Sequence, residues 1–444
     1  MKAYNLIKEI MKTLKNIRTI LIMSFGFIVY SQQTPAPLQK EVLTITGATA
    51  HIGNGEIIQN SIITFENGKI VAVADATSSK IALRGTIIDA REKHVYPGFI
   101  APNTTLGLVE IDAVRPSRDL DELGQFIPNI RSLIAYNAES RVIESLRPNG
   151  VLIAQTTPRG GIISGTSSIV QLDAWNWEDA AIKTDDAIHL NWPGSFTSGR
   201  WWLGEDPALK PNPEYPKNVE KINSFFTDAK QYLDSKSDKK HLPFAATKGL
   251  FDGSQKLYIH VNGEKEITDA ITMSKELGIN NLVIVRGEGA EKVTDLLVKN
   301  NIPVILNRPH RNPNSEDDAY DDTYTIAKTL HDKGVLVGLG MEGQMDRMNT
   351  RNLPFYAGTF AAFGLEKEKA VQLITGDAAK ILGIDAFAGT LEVGKDATLF
   401  ISEGDALDMR TNIISEAFIQ GRKISLESHQ TTLWKRYSEK FKTN

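Results

Sequence analysis

The sequence predicts an α/β protein: a (β/α)8 barrel carrying a β-sandwich built from both chain ends. Two patterns predict it. Between about residues 97 and 385, short apolar runs alternate with amphipathic stretches, as expected of parallel strands buried on both faces and joined by helices. On either side of that stretch, runs of short strands and turns recur, so a single insert divides one β-domain into two parts. Strand–helix units repeated over so long an insert favour a closed barrel over a doubly wound sheet.

Taken in order, residues 1–31 read as a secretory leader. Lys8, Lys12, Lys15 and Arg18 precede an apolar stretch from Thr19 to Tyr30, followed by Ser31 and a polar, proline-bearing segment. Met11 serves equally well as a start. The apolar run is about a dozen residues, short of the roughly 20 that span a bilayer. Cleavage near Ser31 is expected, with a secreted or periplasmic product that has no membrane contact once the leader is gone. Residues 32–40 form a linker.

Residues 41–96 make the first part of the sandwich, with Val42–Thr46, Ile57–Glu66 and a hairpin turn at Asn67-Gly68 before Lys69–Val73. The barrel spans 97–385. Its clearest strands are Val151–Gln155, Leu257–Val261, Leu282–Val285, Pro303–Leu306 and Val335–Leu339, and its clearest helices are Glu264–Leu277, Ala290–Asn300 and Tyr320–Asp332. The region from about 175 to 250 breaks the rhythm and reads as long loops with one helix near Val219–Tyr232. Residues 386–430 complete the sandwich, and 431–444 form a C-terminal tail.

Composition narrows the function classes. Over 444 residues the formal net charge is −4 and no long basic run occurs, which argues against nucleic-acid binding. The chain has no cysteine, so disulfides and zinc–thiolate sites are excluded.

Three stretches carry a family resemblance. They are Pro97-Gly98-Phe99-Ile100, entering the barrel; Asn352–Gly358 with Ala370–Gly383; and Gly389-Thr390-Leu391-Glu392-Val393-Gly394-Lys395-Asp396-Ala397. With them the chain resembles the amidohydrolase superfamily, and within it the imidazolonepropionase-like branch, over about residues 41–425. The resemblance implies a metal-dependent hydrolase of non-peptide C–N bonds. Its metal-bound water is activated and a carboxylate on the last strand moves protons. It also implies ligands at the strand tips: a His-x-His pair on strand one, a His each on strands five and six, and an Asp on strand eight. The matching positions here hold Asn103 and Thr105, then His260, then Arg286-Gly287, then Glu342. Ala101 stands where the first strand's Asp is expected.

One imidazole and one carboxylate are too few for catalytic zinc, which usually takes three protein ligands. No metal is therefore expected. The alternative is a single divalent ion such as zinc, or a harder ion on Glu342, Asp346 and Asn103. Glu342 is the candidate catalytic residue, and His260, Asn103, Thr105, Arg308 and His310 are candidate ligand-binding residues. The expected function is a ligand-binding or regulatory pseudoenzyme on a hydrolase scaffold. Two alternatives stay open. One is an active amidohydrolase rebuilt around His260 and Glu342 with His310 or Asp346. The other is a structural subunit that pairs with an intact paralogue. Expected partners are a small-molecule ligand and a homodimer or heteromer.

Other segments have plainer readings. Arg308, His310 and Arg311 follow the strand-seven run and form either an anion site or a loop paired with Glu316-Asp317-Asp318. The glycine-rich Thr157–Ser168 reads as a turn with free backbone N–H groups. Its Ser164, Ser167 and Ser168 lack the G-x-S-x-G elbow of a serine hydrolase. Trp175, Trp177, Trp192, Trp201 and Trp202 form a wall, an interface, or packing for an excursion. The acidic run reaching Asp322 reads as a solvated turn and helix start.

Overall fold

The computed structural model describes residues 34–235, 239–313, 318–343 and 345–442. The expected leader over residues 1–31, and Glu316 and Asp317 of the acidic run, lie outside these.

Eight strands form one sheet in sequence order: β1 (Phe99–Thr104), β2 (Val151–Thr156), β3 (Ile163–Gln171), β4 (Ala181–Asn191), β5 (Lys256–Val261), β6 (Leu282–Arg286), β7 (Val304–Leu306) and β8 (Val337–Leu339). The sheet curls back on itself, and Met341 N donates to Pro102 O at 3.3 Å across the seam between its first and last strands. Gly340 makes that approach feasible: a Cβ there would lie 2.5 Å from Ile305 Cγ2 and 3.1 Å from Pro102 O. Ile100, Ile153, Ile169, Tyr258, Val283, Val285 and Ile305 pack in one buried cluster with Ile381 and Leu382. Helices such as Glu264–Glu276 cover the sheet with Ile267, Ala270 and Ile271.

The barrel departs from the all-parallel expectation at one strand. β3 runs antiparallel to both β2 and β4, while all other neighbours are parallel. The cause is local. A parallel return needs a crossover of about a dozen residues, and the link between β2 and β3 spans only residues 157–162. Gly161 sits at φ 62 in that link, where a Cβ would meet Gly124 O at 2.9 Å. Thr157–Ser168 is therefore turn only in its first half.

The reading of 175–250 as loops with one helix is corrected at one element, the eleven-residue β4, while the helix expected near Val219–Tyr232 is present as Tyr215–Asp234. Both missed strands are polar in sequence. β3 is buried throughout, and its hydroxyls are satisfied inside the fold: Thr166 Oγ1 donates to Pro128 O at 2.7 Å and Ser167 Oγ to Asp186 Oδ1 at 2.8 Å.

A six-stranded sheet joins the chain ends. Its middle strands, His94–Pro97 and Leu399–Ser402, pair antiparallel. It faces a four-stranded sheet of Leu43–Thr46, Ser61–Glu66, Lys69–Asp75 and Thr86–Asp89. Ile45, Ile63, Phe65, Val95, Leu399 and Phe418 fill the core between them. A buried ion triad pins the two chain ends to the barrel. Asp173 accepts from Arg147 at 2.9 Å, from Arg422 at 2.8 Å and from the Ala36 backbone at 2.9 Å.

The tryptophans do not form one wall. Trp192 is buried with its Nε1 donating to Tyr215 Oη at 3.2 Å, and Trp177 is partly buried against the core. Trp175, Trp201 and Trp202 are exposed. The segment expected as a tail carries a helix, His429–Lys440, opened by a reciprocal Ser428–Thr431 capping box. Among the described residues, no helix is long and apolar enough to cross a membrane.

Candidate functional site

The strand-tip positions do converge. Near the end of β1, Asn103 adopts φ 54, a left-handed conformation that Asn tolerates better than most residues. β6 ends at Arg286, at φ 75, where a long side chain is strained. Glu342 lies just past β8, and His260 is near the tip of β5, 3% exposed.

Glu342 is the hub. His260 Nδ1 lies 3.0 Å from its Oε2, Arg286 Nε donates to its Oε1 at 2.8 Å, and a second Arg286 nitrogen closes on the same oxygen. Asn103 Nδ2 donates to Met341 O at 3.1 Å and more weakly to Glu342 Oε2 at 3.4 Å. Thr105 Oγ1 donates to Asp346, whose other oxygen accepts from Arg159 at 2.9 Å. Arg159 also donates to the Asn103 side-chain oxygen at 3.1 Å and to its backbone oxygen at 2.9 Å.

Electrostatics follow from these contacts. Burial alone would raise the Glu342 carboxyl, but His260 and the Arg286 guanidinium beside it hold it well below the usual carboxylate range. Burial lowers His260 and, more strongly, His189. An ionised Glu342 can only accept, so His260 Nδ1 carries the proton and its Nε2 accepts. His189 Nδ1, 2.9 Å from His260 Nε2, then donates. The far nitrogen of His189, Nε2, is left as a buried lone pair without a partner.

The donor set does not fit a catalytic metal. Both ring nitrogens of His260 and both oxygens of Glu342 are engaged by protein groups. The two neutral side chains on β1 and just beyond it are spent on Met341, Glu342 and Asp346. Two guanidinium groups stand where a cation would have to approach, and the space among Asn103, Arg286 and Glu342 leaves no room for a water molecule. Among the described residues, no group of three or more His, Asp or Glu side chains is arranged to hold an ion.

Of the expected site residues, the structure gathers Asn103, Thr105, His260 and Glu342, with Asp346 beside them. Arg308 and His310 do not join them by any bond among the described residues. His310 Nε2 lies 2.9 Å from Thr359 Oγ1 and its ring meets Tyr356 edge-on, while Arg308 N takes Asn307 Oδ1. Arg311 pairs with Glu288 at 3.2 Å.

Sequence reasoning missed Arg159, His189, Gln155 and Asp186. Gln155 joins Asn103 N at 3.0 Å to buried Asp186 at 2.7 Å. Burial raises Asp186, against the lowering pull of its bonds from Ser167 and Gln155. The one available signal was His189 in an otherwise apolar run, Ala187-Ile188-His189-Leu190.

Residues 239–424 match the amidohydrolase family. Among solved structures, the chain is similar to an amidohydrolase from Thermotoga maritima MSB8, at TM-score 0.74 and 21% identity over 86% of this chain and 99% of that one. It is also similar to an adenosine deaminase from Xanthomonas campestris with bound zinc, at TM-score 0.54 and 13% identity over 91% and 98%. A prolidase complexed with N-methylphosphonate-L-proline aligns at TM-score 0.54 and 14% identity over 86% and 99%. These likenesses concern the fold. No curated protein sequence matches.

Proposed function

We propose that the chain is a ligand-binding member of the amidohydrolase superfamily in which an internal guanidinium has replaced the catalytic metal, a reading supported by the family match over residues 239–424 and by the likeness of fold. The observation that carries this reading is the Arg286–Glu342 pair. The carboxylate corresponding to the family's last-strand acid is held by a fixed cation, so it is not free to relay a proton for bound water. His260, Asn103 and Thr105 then act as parts of a rigid polar floor rather than as ligands. Export through residues 1–31 and pairing with a second copy or an intact relative belong to the same proposal.

The test is metal analysis of the protein purified with zinc, manganese or iron supplied, combined with assays on amide, lactam and dipeptide substrates. Substoichiometric metal and no turnover are expected. A stoichiometric ion lost in His260→Ala, together with turnover, would overturn the reading. The second reading, an active hydrolase with a rebuilt site, is favoured by one contact: His260 and Glu342 remain within 3.0 Å, the arrangement an acid–base pair would use.

A further inference from the structure

We propose that the C-terminal helix His429–Lys440 is a docking surface for an anionic phospholipid bilayer. The helix has no buried residue. Trp434, Tyr437 and Phe441 are 69%, 49% and 72% exposed, and their spacing of three and four residues sets them on one stripe. Gln430, one turn earlier, lies on the same line. Such a stripe is covered in a working protein or it stays a liability.

Charge decides what covers it. From residue 429 to 442 the chain carries Lys435, Arg436, Lys440 and Lys442 against a single acid, Glu439, although the whole chain is net negative. Lys435 is paired with Glu427, while Arg436 lies over the Tyr437 ring and Lys440 over the Phe441 ring. Aromatic rings flanked by cations suit a headgroup boundary: the rings enter the acyl edge and the ammonium and guanidinium groups meet phosphates. A second exposed apolar element gives a useful contrast. The hairpin bearing Phe196, Trp201 and Trp202 pairs its own charges, Arg200 with Glu205 and Lys210 with Asp206, and so offers a bilayer no net attraction. The proposal departs from the sequence expectation of no membrane contact.

The chain has no cysteine, so a single label reports on the helix alone, whatever the leader does. An environment-sensitive fluorophore is placed on Gln430→Cys, and on Thr432→Cys on the opposite face as the control. Titration with phosphatidylglycerol vesicles is expected to blue-shift the residue-430 label only. The effect should weaken in high salt, and about fivefold for each of Arg436, Lys440 and Lys442 changed to Gln. Trp434→Ala, Tyr437→Ala and Phe441→Ala together should abolish it with the melting temperature unchanged, since none of the three is buried. An unshifted residue-430 label, a shift equal in phosphatidylcholine vesicles, or a vesicle-free shift that grows with protein concentration would each overturn the proposal. The last would mean that a second copy covers the face.

Discussion

Arg286, at the tip of β6, donates through Nε to Glu342, just past β8, at 2.8 Å, and so a fixed cation rather than a bound one balances the buried carboxylate. The Glu342 side chain is 11% exposed and that of Arg286 35%. The pair is therefore largely withdrawn from water, in the regime where breaking it costs more than replacing it.

Arg286→Ala should destabilise the fold by about 2–3 kcal/mol, because it strands Glu342 in a buried setting with only part of the usual relief from solvent. Arg286→Met with Glu342→Met should recover most of that loss. Urea midpoints of both variants check it, and equal losses in the two would contradict the explanation.

Restoring the strand-one pair should not restore a metal centre. With Asn103→His and Thr105→His alone, the guanidinium still repels a divalent cation, and zinc should remain below one equivalent after dialysis. Adding Arg286→His removes that charge and supplies a third imidazole, and bound zinc should rise towards one. Full occupancy in the first variant would show that Arg286 is no obstacle.

Acid should unfold the protein earlier than its carboxylates alone require. Burial holds His189 and His260 below their ordinary value of 6.5, so below that pH the unfolded chain takes up protons that the folded chain refuses. Stability is therefore full above pH 6.5 and falls as pH drops, by about 1.4 kcal/mol per pH unit for each histidine. Melting temperatures between pH 7.5 and 5 measure the slope. His189→Gln should flatten it, and a slope unchanged in that variant would remove His189 from the account.

Asp173→Ala should cost about 3–5 kcal/mol, since it leaves Arg147 and Arg422 charged and buried at the junction of barrel and chain ends. Loss of protection around Ala36 and the Arg422–Lys423 strand in hydrogen exchange should accompany it. A cost below 1 kcal/mol would make the triad a surface-like feature.

Periodicity made the five apolar strands and their helices legible, because a segment buried on both faces must be apolar almost continuously. β3 and β4 escaped for the converse reason. Ile163–Gln171 is rich in serine and threonine, and Ala181–Asn191 carries Lys183, Asp185 and Asp186. Their burial depends on partners such as Gln155 and Pro128, which only the folded chain brings near. Arg308 and His310 were candidates through their place after strand seven, and the loop turned His310 towards Thr359 instead.

The sequence by itself determined the scaffold and the composition of the strand tips, since the apolar spacing and the residues at 103, 105, 260 and 342 are local facts. Tertiary structure alone decided what those side chains do. Arg159 and Arg286, distant in the chain, reach Asn103, Asp346 and Glu342 because the barrel curls their strand ends together, and a charge acts on whatever the fold puts beside it.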